Sequence, residues 1–210
     1  MKQQPHNIQH MNQNTFYRSG FFLFVLFGFE MLSVGVQAQV AYATQTMNTV
    51  IEGTSNIHDW ELISPKANCT MQLSMDATGK LTGISNVQYA VQVNTLKSKH
   101  GSQMDNNAYK AMNAEDHPTI RFTGSSGTIR SSAAGAYVVS VPGKLSISSG
   151  TRDVVLTANL KVNADRSVTV DGAQNLKTTD YNVKAISIML GAIKTSPDVT
   201  VKFNMNVKPQ

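Results

Sequence analysis

Thr95–Thr123 reads TLKSKHGSQMDNNAYKAMNAEDHPTIRFT, and the period of its hydrophobic pattern changes part-way along. Met104, Ala108, Ala111 and Met112 fall at i, i+4, i+7 and i+8, one face of a helix, which predicts a helix over about residues 103–113. Ser102 and Asp105 stand at the spacing of a short-armed capping box, and Asp105 suits the positive end of the helix dipole. Pro118 cannot continue a helix and biases His117 away from helical geometry. Directly after it, Ile120 and Phe122 alternate with Thr119, Arg121 and Thr123, the mark of a half-buried strand.

The chain around this stretch alternates. Ala67, Cys69, Met71, Leu73 and Met75 take every second position, and so do Val87, Tyr89, Val91 and Val93. Gly124–Gly127 reads as a turn, and residues 131–135 as a small-residue loop. Tyr137, Val139 and Val141 form a strand that Pro142-Gly143 is expected to break, and residues 148–150 turn the chain again. Val154, Leu156, Ala158, Leu160 and Val162 make the longest clean alternation, and Val199, Val201, Phe203, Met205 and Val207 run toward the C-terminus. The first strand is expected from Met47. Eight or more short strands joined by turns argue for an antiparallel barrel or sandwich. A regular C-terminal strand needs a partner, and pairing it with an early strand closes the sheet and removes both edges. Strand faces rich in Val and Met suit an apolar cavity and a filled core equally well.

Of the 210 residues, 41% are hydrophobic and 15% charged, a balance that fits a secreted β-protein of one domain. Phe21–Phe29, FFLFVLFGF, is too short to span a bilayer; Lys2 and Arg18 precede it, and Val36 and Ala38 supply small residues for cleavage. Residues 1–38 are therefore expected to be a signal peptide and residues 39–210 the mature domain, periplasmic or secreted. No Cys closes the leader, which excludes a lipoprotein anchor there. The formal charge of +5, or +4 without Lys2, Arg18 and Glu30, is scattered and forms no nucleic-acid footprint. It is compatible with weak contact to an anionic membrane surface. A lone Cys69 excludes an intrachain disulfide.

Catalytic signals are weak. His100, Ser102 and Asp105 carry the residue types of a hydrolase triad, but triad geometry comes from separate elements, and no G-x-S-x-G elbow is present. His58, His100 and His117 lack metal-ligand spacing. His58-Asp59-Trp60 reads either as a polar and aromatic cluster at a barrel mouth that orients a ligand head group, or as a strand end where Trp60 plugs the barrel and His58 hydrogen-bonds locally.

Several blocks go further than periodicity. GTSNIHDW (Gly53–Trp60), LKSKHGSQMDNNAYKAMNAEDHPTIRFTG (Leu96–Gly124), GKLSISSGTRDVVLTANLKV (Gly143–Val162), LKTTDYNV (Leu176–Val183) and GAIKTSPDVTVKFNMNV (Gly191–Val207) occur in this order. In them the chain resembles the YceI-like family of secreted bacterial proteins. Asp153 departs from the pattern, standing where relatives commonly have Pro. The resemblance implies a lipocalin-like, antiparallel eight-stranded β-barrel whose apolar tunnel holds a polyisoprenoid or isoprenoid quinone, with no enzyme activity and no required cofactor. Under it, Trp60, Met71, Leu73, Val91, Ile120, Phe122, Leu156 and Phe203 are expected to line the tunnel. Met104, Ala108 and Met112 are expected to face it from a helical lid. The implied partner is a lipid, with a homodimer left open. The rival reading is an envelope structural or stress-response protein with a filled core, acting through protein contacts.

Overall fold

The computed structural model describes residues 39–133, 135–188 and 192–210; the expected signal peptide lies outside them. Eleven strands and one helix follow in order: β1 (Gln39–Ser55), β2 (Asp59–Ser64), β3 (Ala67–Met75), β4 (Leu81–Gln92), α1 (Ser102–Ala111), β5 (Thr119–Ser126), β6 (Thr128–Ala133), β7 (Ala136–Ile147), β8 (Gly150–Val162), β9 (Val168–Lys177), β10 (Ser187–Ile188) and β11 (Ile193–Pro209). The antiparallel pairings run β1–β3–β4–β5–β7–β8–β9–β11, and β11 pairs again with β1. That is a closed barrel of eight strands. Closure satisfies the edge groups that an open sheet would leave unpaired.

Two walls of the barrel are each built from two consecutive strands. β2 and β3 lie along the same edge of β1 in one register: Thr54 faces Asp59, Thr49 faces Ser64, Ala43 faces Thr70 and Gln39 faces Ser74. Pro65 interrupts them, and Thr44 patches the gap. Its Oγ1 accepts the Cys69 N–H (2.7 Å) and donates to the Cys69 carbonyl (2.9 Å). β5 and β6 likewise both pair with β7, shifted by one residue between Gly124↔Gly143 and Thr128↔Ser140.

The expected turn at Gly124–Gly127 is therefore a bulge in a continuous wall. The expected break at Pro142-Gly143 is absent too, because β7 runs through it. Pro142 falls opposite the bulge, where the ladder to β5 and β6 is already interrupted, so its missing N–H costs no bond. The first strand begins at Gln39, eight residues before the expected Met47. Its first half, QVAYATQT, carries no clean alternation, yet it pairs with both β3 and β11.

The two ends of the barrel differ. At one end short turns join β3 to β4, β6 to β7 and β8 to β9. Tyr42, Leu73, Leu81, Tyr137, Val168 and Val207 are all buried near this end and form a floor. The Leu81 N–H donates to the Tyr137 hydroxyl across it (3.1 Å). At the other end lie the 3-10 turn Val93–Thr95, α1, and the connection from the 3-10 turn Thr178–Tyr181 onward. No helix among the described residues is long and apolar enough to cross a membrane.

Candidate functional site: an apolar lumen under a helix

Above the floor, the barrel encloses a cavity of about 150 Å³ walled almost wholly by carbon and sulfur. Trp60, Met71, Val91, Ala108, Met112, Ile120, Phe122, Leu156 and Phe203 all line it. Leu73 and Met104 do not, and each has a physical reason. Leu73 is on the inward face of β3 but one inward position nearer the closed end than Met71, where it is fully buried in the floor. Met104 lies on the first turn of α1, where the inward place is taken by Asp105, which is buried.

Asp105 stands at capping-box spacing in the sequence, but its task in the structure is different. α1 begins at Ser102 with Gly101 before it and no side-chain cap. Asp105 instead points into the preceding loop, where its Oδ1 accepts the Ser98 N–H (2.7 Å) and its other oxygen pairs with Lys97 (3.4 Å). Lys97 Nζ also donates to the Tyr109 hydroxyl (2.8 Å), and that hydroxyl lies 2.7 Å from the Leu96 carbonyl, to which it can donate. These bonds hold α1 across the barrel end with Ala108, Ala111 and Met112 turned to the lumen. At the far end of α1, the Ala111 carbonyl accepts the Lys184 N–H (3.1 Å).

The lumen stays open because its largest rings lie flat against the wall. Trp60 sits across from Gly53, and Phe203 across from Gly172. A Cβ on either glycine would overlap the ring, at 2.7 Å from Trp60 Cε2 and 2.8 Å from Phe203 Cε2. Each ring thus occupies space above the neighbouring strand that any other residue would fill. The Trp60 Nε1–H also donates to the Thr54 carbonyl (3.1 Å), which holds the indole at the rim.

Residues 35–207 match the YceI-like domain family. The chain belongs to that family. Two solved structures share its fold. BcnA of Burkholderia cenocepacia is 20% identical, with a TM-score of 0.56 over 78% of this chain and 96% of its own. A polyisoprenoid binding domain from Saccharophagus degradans, implicated in plant cell wall breakdown, is 11% identical, with a TM-score of 0.58 over 81% of this chain and 99% of its own. No curated protein matches the sequence.

This YceI-like lumen includes groups the sequence did not single out. Cys69 and Tyr89 were visible as members of alternating strands, but nothing marked them as lumen rather than core. Thr49 is inward and only 1% exposed, with a polar side chain that hid it from a hydrophobic pattern. Gln174, Thr178, Lys184, Thr195 and Ser196 ring the helix end of the lumen from segments with no period at all. Outside that end, Trp60, Leu176 and Val199 also border a polar recess containing Asp59, Glu61, Asp180, Asp198, Lys99 and His100. His58 and His100 stack there with ring centres 4.7 Å apart. Among the described residues, no group of three or more His, Cys, Asp or Glu is placed to hold a metal.

Burial pushes the Cys69 thiol up to about 12. At neutral pH it remains a thiol, and so a small apolar wall residue rather than a nucleophile.

Proposed function

We propose that this protein is a non-catalytic carrier that holds an apolar lipid, a polyisoprenoid or isoprenoid quinone, in its barrel lumen. The observation that carries the reading is the lumen itself. It is closed by a floor and walled almost wholly by apolar side chains, with a Thr49–Tyr89 hydroxyl pair in the wall and further polar residues at the helix end. Burial supplies affinity at about 0.8 kcal/mol per methylene, and a wall this apolar, with Lys184 at its helix end, favours lipid binding over chemistry. The polyisoprenoid binding domain of the same fold supports the choice of lipid.

Size sharpens the reading. A cavity of about 150 Å³ accepts a benzene-sized group as it stands. A longer chain enters by displacing flexible side chains, Met71, Met112 and Met205 first, or by extending out past α1. The same reading places the protein in the periplasm or outside the cell, with Gln39 as its mature N-terminus. Gln39 already pairs with Ser74, so the barrel wall begins where the leader is expected to end.

Native mass spectrometry of protein purified from its own cell envelope tests the whole reading. The expected spectrum shows a mass starting at Gln39 plus an apolar lipid that is recovered unchanged on denaturation. A lipid-free mass, together with no uptake of added quinone or polyprenol, would overturn it.

A further inference from the structure

Two hydroxyls interrupt the apolar wall of the lumen. Thr49 on β1 and Tyr89 on β4 both line it, and their oxygens lie 3.0 Å apart. Along the ladders, Thr49 stands beside Phe203, and Tyr89 stands between Cys69 and Phe122. The pair carries two O–H protons, and the bond between them uses one. Either oxygen can be the donor, so the second proton is free to turn toward the lumen from whichever oxygen is the acceptor. Among the described residues, neither side chain has another hydrogen-bond partner. Tyr89 is held at about 12 by burial, so it keeps its proton at every physiological pH.

An O–H without an acceptor is costly in an apolar enclosure, and a small number of placed polar groups is what orients a ligand in such a site. We propose that the Thr49–Tyr89 pair donates to an acceptor oxygen on the buried part of the ligand, so that the lumen favours a carbonyl-bearing apolar lipid. The inference rests on the lipid-carrier reading above. A carbonyl suits the pair better than a hydroxyl, because it accepts the spare proton without burying a further one.

Two isosteric probes test it. Phytone is a saturated isoprenoid methyl ketone, and pristane is the hydrocarbon in which a methyl group replaces its carbonyl oxygen. Affinities of both are measured for the unaltered protein and for the double variant Thr49→Val with Tyr89→Phe. The double variant is needed because either hydroxyl alone still has a proton to donate. The expected result is that phytone binding weakens about tenfold or more in the double variant while pristane binding holds, as leaving a buried acceptor unpaired requires. Equal partial weakening of the two affinities, or no change in either, overturns the proposal. If the double variant loses both probes, the carbonyl stretching band of phytone bound to the unaltered protein decides. A shift to lower frequency than in hydrocarbon solvent supports the hydrogen bond, and no shift overturns it. If pristane and phytone both fail to bind the unaltered protein, the lipid-carrier reading falls first and this inference falls with it.

Discussion

At Gly172 a single added carbon would lie 2.8 Å from Phe203 Cε2 and 2.9 Å from the Thr157 carbonyl. The ring can tilt only into the lumen, and the backbone oxygen cannot move far. Gly172→Ala is expected to cost about 1–3 kcal/mol in a urea titration, the usual range for overpacking, and to weaken lipid uptake because the displaced ring narrows the channel. Cys69 and Tyr89 give a pH signature at the same scale. Both groups are raised by burial, Cys69 from 9.0 and Tyr89 from 10.0, each to about 12. A raised acid stabilises the fold fully below its unfolded value and loses that contribution as pH climbs toward the folded one. Stability should therefore be flat from neutrality to about pH 9 and fall between about pH 9 and 12. Cys69→Ala should delay the onset of that fall toward pH 10, as followed by denaturant midpoints across the alkaline range.

The helix is the element whose role depends most on polar anchoring. α1 has ten residues, too few to be stable alone in water, and its inner face offers mostly alanine. Its position therefore relies on Asp105, Lys97 and Tyr109 gripping residues 94–98. Asp105→Ala leaves the Ser98 N–H without its acceptor and should destabilise this region by about 1–3 kcal/mol. Hydrogen exchange should show faster opening of residues 102–112, with the barrel strands unchanged. Asp105→Asn keeps an acceptor oxygen and should restore most of the protection. Equal loss of protection across β4, β5 and α1 would instead mean that the helix and barrel open as one unit, and that α1 is no separate lid.

At the scale of the molecule, the hollow interior is the property that matters. Leu156 and Val201 face the lumen yet remain only half-buried, so there is room in front of them. Leu156→Trp and Val201→Phe should fill that room with stability changed by less than about 2 kcal/mol, while uptake of a quinone or polyprenol falls at least tenfold. A structural protein with a surface role would lose nothing when its lumen is filled. The contrast between thermal unfolding and lipid uptake in these variants separates the two roles.

The sequence by itself determined most of the strand cores, the helix and much of the inward face. Alternation is imposed by the pleat, and the 3.6-residue period by the helix, so both are written locally. It also carried the family, through blocks spread over Gly53–Val207. Tertiary structure decided the rest. Closure of β1 on β11 joins residues 140 to 167 positions apart, beyond the reach of any local pattern. Pro142 is harmless only because of a bulge in another strand. Leu73 and Phe203 share one apolar periodicity, but depth along the barrel makes one floor and the other channel wall. α1 keeps its expected place over the lumen. What holds it there is Asp105, a buried acid whose partner lies seven residues upstream, and only the folded chain brings the two together.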